Sequence, residues 1–175
     1  MHVKGGKTIS LTANGIVLDR SDDAHVTNGA VVAGVPGNGI DATLSNGLLV
    51  KDSNVGGGVN GITLDRSNKA RVTDDSVVVG LLSDGIDARR SNGLRVKDSF
   101  VGGGVNGITL DRSDDARITD GSLVVGLLGN AVDARRSDGL QVTDSYLLAL
   151  LGDGVRLDRG DGAKITGNGI LAGRD

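Results

Sequence analysis

The string GITLDRS stands at residues 61–67 and again at 107–113, and its near copy GIVLDRS occupies 15–21. The spacing is 46 residues each time. A chain that repeats itself at such a period builds one supersecondary unit several times and stacks the copies. The unit divides again. Aligned on a Gly/Ala-Ile/Val start, residues 15–175 fall into seven segments of 22 to 24 residues, beginning at 15, 39, 61, 85, 107, 131 and 154. The first twelve residues of each segment align without gaps, and all variation in length lies in the second half.

Read as columns, these twelve positions define two short strands. Column 2 is Ile16, Ile40, Ile62, Ile86, Ile108, Val132 and Val155, and column 12 is Val26, Val50, Val72, Val96, Ile118, Val142 and Ile165. Columns 2 and 4, and again 10 and 12, alternate with polar neighbours, which is strand periodicity. Columns 4 and 10 are coupled. Where column 4 is Leu (18, 64, 110, 157), column 10 is Ala (24, 70, 116, 163); where column 4 is Ala (42, 88, 134), column 10 is Leu (48, 94, 140). Two walls that trade bulk in this way keep the volume of each layer constant and let successive layers interdigitate. The 46-residue period is therefore two turns of one coil.

A third apolar stretch, Val77-Val78-Val79 in one unit, Val101 in the next and Leu147-Leu148 later, predicts a third and less regular strand. Three Asx columns separate the strands. They start at Asn14, Asp22 and Asn28, and their residue types tolerate the left-handed backbone of tight corners. Three strands and three corners make a triangular coil.

Composition agrees. Glycine is frequent at 30 residues, aromatics are 1%, and there is no cysteine. The core must be aliphatic and narrow, and disulfides and thiolate metal sites are excluded. A net charge of -3 argues against a nucleic-acid partner, and no apolar run approaches a membrane span. The first residues, MHVKGGKTIS, lack the apolar stretch of a secretory signal.

Coils of this length, with the G-[IV]-x-[LA] strand, the [VI]-x-[DNG] strand and Asx corners, resemble the right-handed parallel β-helix of the pectin-lyase-like superfamily. The expectation is an all-β solenoid of about seven coils over residues 15–175, roughly 35 Å long at ~4.8 Å per coil, preceded by a partial strand or cap in 1–14. The right hand follows from that resemblance and from the general bias of parallel connections. The superfamily is often extracellular, and it includes lyases, hydrolases, epimerases, tailspikes and adhesins, so the fold alone does not name a function.

Column 5 points outward from the first strand and places Asp65, Arg89, Asp111, Arg135 and Asp158 in a vertical file of alternating charge. Column 3 adds Asp41, Asp87 and Asp133, and column 6 adds Arg20, Arg66, Arg90, Arg112, Arg136 and Arg159. The resemblance implies a polysaccharide site on such a face, with acidic residues binding a uronate chain and an arginine as base. The residues themselves argue for register control, because alternation relieves repulsion between stacked like charges and every coil offers the same groups. A catalytic site is local and asymmetric. The only histidines, His2 and His25, lie far from Tyr146, so the Tyr/His/Asp cluster of the epimerase branch cannot assemble. His25 heads a largely basic outward column with Arg71, Arg95, Arg117 and Lys164, a candidate anion-binding strip without aromatic stacking partners. Neither a calcium β-roll period nor an EF-hand loop is present.

The sequence thus favours a non-catalytic solenoid scaffold with no cofactor or metal, self-associating through its open ends. A polyuronate-lyase-like or carbohydrate-binding β-helix is the alternative. Near-identity of 61–84 and 107–130 fits recent duplication or engineering equally well.

Overall fold

A computed structural model describes residues 1–173. Every regular element among them is a strand. The chain enters with β1 (His2–Lys4) and β2 (Lys7–Ser10), so residues 1–14 supply two strands of a first, incomplete coil. The first full coil is β3 (Ile16–Asp19), β4 (His25–Thr27) and β5 (Val31–Gly34), and this cycle of three repeats to the end. Each strand pairs in parallel with the strand three places on. Sheet A collects eight strands beginning with β1, sheet B eight beginning with β2, and sheet C seven beginning with β3. The molecule is a three-sided parallel β-solenoid of about seven turns.

Inside, the aliphatic columns form one continuous core. The sheet C isoleucines from Ile16 to Ile108 are at most 5% exposed. The trading pairs Leu64 with Ala70 and Ala88 with Leu94 all lie in that same cluster. The third strand, expected to be irregular, is as regular as the others. Val32, Val55, Val78, Val101, Val124 and Leu147 stack inward in register. Its signal is faint because the next inward position is glycine. At Gly80 and Gly103 a Cβ would collide with the backbone carbonyls of Asp84 and Asn106, where the chain turns from sheet B to sheet C. In the glycine run 102–104, Gly103 and Gly104 therefore pack against backbone, while Gly102 lies under the Phe100 ring.

The corners work differently from expectation in two of three cases. Only the column containing Asp52, Asp98 and Asp120 adopts positive φ, with values of 46°, 43° and 55°. The other two Asx columns are ladders. The Asn46 N–H donates to Asp22 Oδ1 at 2.7 Å, Asn68 to Asn46 at 2.9 Å and Asn92 to Asn68 at 2.8 Å, and the series continues to Asp161. At the turn into sheet C the series runs from Asn14 to Asp153 in the same sense, as in Asn38 N–H to Asn14 Oδ1 at 2.7 Å. A buried serine ladder runs the other way. The N–H of Ser45 donates to Ser67 Oγ, that of Ser67 to Ser91 and that of Ser91 to Ser113, at 2.9, 2.9 and 3.0 Å. Side-chain oxygens here take the amide donors that a sheet ladder would otherwise satisfy.

The coupled columns make a direct prediction. Leu64→Ala should destabilise the fold by about 2–5 kcal/mol through the cavity it leaves. Adding Ala70→Leu should recover a substantial part, because the same layer regains its volume. Denaturant melts of the two variants check this; a double variant weaker than the single would refute the trade between walls.

Candidate functional site

The outward face of sheet C carries the charged residues singled out above. Asp65, Arg89, Asp111, Arg135 and Asp158 do stand in register on consecutive strands. They do not pair along that file. Arg89 turns to Asp87 on its own strand at 2.7 Å, and Arg135 to Asp133 at 2.6 Å. Asp65 sits 3.1 Å from Arg66 and 4.0 Å from Arg90, Asp111 lies 3.5 Å from Arg136, and Asp158 is 3.8 Å from Arg159. The corner arginines adopt the left-handed conformation, as at Arg66 with φ 51° and Arg90 with φ 51°. That conformation turns their side chains back along the sheet face. Adjacent coils thus use two different neutralising patterns, one within the strand and one through the corner.

Asp87 and Asp133 depart from the expectation of a solvated file. They are 3% and 1% exposed. Threonines flank Asp87 on both neighbouring strands, Thr63 below and Thr109 above. Those hydroxyls already accept hydrogen bonds from the amides of Asn60, at 3.3 Å, and Asn106, at 3.2 Å. One oxygen of each carboxylate meets an arginine, while Asp87 Oδ1 and Asp133 Oδ1 have no partner. Burial pushes the Asp87 carboxyl above its ordinary range, against the opposing pull of Arg89 and with a further push from Asp84 and Asp111. The Asx side chains beside column 3 belong to this face as well. Asn14 Nδ2 donates to Asp41 Oδ2 at 2.9 Å across coils. The constant three-residue spacing from each Asx to column 3 is the signal that could have revealed them in the sequence.

Two other surfaces matter. On sheet A, Arg71, Arg95 and Arg117 stack in register, and a shallow groove runs over them with Lys69, Gly93 and Asp115. His25, at the head of that outward column, is half-buried and packs edge-on against His2 with ring centroids 4.6 Å apart.

This architecture defines the class: a parallel β-helix of the pectin-lyase-like type. Within it the chain belongs to the NosD family, described as periplasmic copper-binding protein, which it matches over residues 2–174. No curated protein matches the chain at a significant level. Among solved structures it is similar to the A-module of mannuronan C-5 epimerase AlgE6 from Azotobacter vinelandii. The TM-score is 0.59 at 14% identity, covering 99% of this chain and 58% of the module. It is similar also to the Agl-KA catalytic domain, with TM-score 0.57, 12% identity, and coverage of 97% of this chain and 39% of that one. The enzymatically active domain of tailspike protein 2 from bacteriophage CBA120 has TM-score 0.57 and 13% identity, with coverage of 92% and 33%. The chain thus spans well under two thirds of these proteins, and at such identities the likeness is one of fold.

The residues present do not fit a copper centre. Copper takes thiolate, thioether and imidazole ligands gathered in threes or fours. The chain has no cysteine, one methionine and two histidines. Among the described residues no three of His, Cys, Asp and Glu gather closely enough to hold a metal. The two imidazoles meet edge to face, a packing contact. Calorimetric titration with copper(II) should therefore show no tight stoichiometric complex, and His25→Ala should leave the isotherm unchanged.

Asp87 gives a second prediction. Its carboxyl binds a proton more tightly in the folded chain than in the unfolded one, so the ionised form costs stability at neutral pH. That cost fades as the pH falls through the raised value toward the ordinary carboxylate range. Asp87→Asn should stabilise the protein by about 1 kcal/mol at pH 7, with the gain shrinking on acidification. Thermal melts across pH read both; a variant less stable at pH 7 would overturn the assignment.

Proposed function

We propose that this chain is a non-catalytic β-solenoid scaffold of the NosD family, a rigid rod whose repeated faces serve binding. The observation that carries this reading is the neutralisation of the sheet C face. Asp65, Asp87, Asp111, Asp133 and Asp158 each meet an arginine at 4.0 Å or less, and the grouping recurs every second coil. General acid–base work needs a carboxylate or base set apart from its neighbours in pKa and position. Here no coil is distinguished by a histidine or tyrosine beside its acids. The description of the family as copper-binding is not carried over, because the donor set here is too sparse.

A second reading has one observation in its favour. Asp87 Oδ1 and Asp133 Oδ1 are unpartnered and burial holds the Asp87 carboxyl above its ordinary range, as befits a proton-handling group in a polyuronate-active β-helix. The two readings part in one assay. Incubation with polyuronates, with and without calcium, should yield no ultraviolet-absorbing unsaturated product. Turnover that is lost in Arg135→Ala, with the fold intact by circular dichroism, would establish the enzyme instead.

A further inference from the structure

Sheet B has an outward face unlike the other two. From Val31 to Leu171 its strands turn their first and third residues outward; three of these are glycine (Gly56, Gly102 and Gly169), and none is charged. Asn54 and the Tyr146 hydroxyl are its only polar groups. Beside it, at the corner leading into sheet C, runs a file of leucines. Leu81 is 65% exposed, Leu82 75%, Leu128 66% and Leu150 56%. An apolar groove lined by Val79, Phe100, Val125 and Leu127 joins sheet to ridge. Monomers rarely leave an apolar patch larger than a few hundred Å² in water.

The opposite edge of this sheet is acidic on balance: Asp75, Asp98, Asp120 and Asp144 are all exposed, and Lys97, 3.7 Å from Asp98 and 4.0 Å from Asp120, offsets part of that charge. That rim disfavours an anionic bilayer as the occupant. Size and relief favour a second copy. Seven strands of four residues at ~4.8 Å spacing, with the ridge beside them, form a strip of roughly 600 Å², approaching the ~800 Å² per partner of a stable interface. The strip is uneven along the solenoid axis. Val79 and Val125 stand proud, Gly56 leaves open space, and the Phe100 ring lies over Gly102. Such relief lets outward side chains of one copy seat between those of another.

We propose that two copies of this chain associate laterally, sheet B against sheet B, with their solenoid axes antiparallel. A two-fold axis across the strip brings leucine ridge onto leucine ridge. The parallel arrangement would set each ridge against the partner's acidic rim and leave the leucines in water. The antiparallel dimer instead brings the two acidic rims near each other, so added salt should strengthen association by screening them.

The test is light scattering and sedimentation over a concentration series. Wild-type protein should approach twice 17.7 kDa, more readily at higher salt. The pair Val79→Lys with Val125→Lys, both mid-strip and outward, should weaken dimerisation by more than ~10-fold, since each buries an unpaired charge. Circular dichroism reports their fold, and Leu82→Gln with Leu128→Gln, on the exposed ridge, repeats the test without touching a strand. A monomer at every concentration would overturn the proposal. So would a dimer that survives both variant pairs, which would be association through the solenoid ends. A monomer that instead binds neutral phosphatidylcholine vesicles would assign the strip to a lipid surface.

Discussion

Every coil of this molecule is held to the next by hydrogen bonds that run parallel to the solenoid axis, and nothing else in the structure survives without that register. Strand pairing supplies the bonds on the three flat sides. At the corners, where strands end and amides would face nothing, Asx and serine side chains take over. Two Asx ladders point one way along the rod, and the serine ladder points the other. Each rung ties one side chain to the amide one coil away. An inserted or deleted residue in the first half of a unit would take every rung above it out of place. That half is the one that aligns without gaps.

Given that register, side-chain chemistry becomes a matter of columns. Inward columns must fill a narrow triangle without aromatics, and they do so by trading leucine for alanine between walls. Outward columns stack like with like about 4.8 Å apart, so each face must manage its own repulsion. Sheet C does so with arginines drawn from the strand or from the corner. Sheet A keeps a run of three arginines, and sheet B carries no outward charge from Val31 onward. The three faces of one rod therefore differ in character: ion-paired, basic and apolar.

The same geometry bears on function. A repeating face gives every coil equivalent groups, and exposed ion pairs of this kind contribute at most ~1 kcal/mol each. On the function proposed above, they serve register more than chemistry. The fold is shared with polysaccharide-active proteins at low identity, and fold does not carry function with it. What distinguishes this chain is its surfaces, and the widest uncharged one is sheet B with its leucine ridge.

Much of this was legible in the residues. The period, the two strands around columns 2–4 and 10–12, the exchange of bulk between Leu64 and Ala70, and the Asp65–Arg89–Asp111 file are all linear patterns, and strand alternation maps such patterns directly onto faces. The third strand was blurred because glycine occupies its second inward position, and the reason, a backbone carbonyl from the following corner, comes from residues that meet only after the turn. The Asx and serine ladders join positions 22 to 24 residues apart, so their bonds follow from stacking and not from local propensity. The burial of Asp87 likewise depends on threonines one coil below and above, and that of Asp133 on Thr109 below and Arg156 above. The apolar strip was invisible for the same reason, since Val79, Val125 and Leu82 become one surface only in three dimensions. Sequence by itself determined the coil and what points inward, because period and alternation are properties of a line. Tertiary structure alone decided which outward groups are buried, paired or left open, because these depend on contacts between coils.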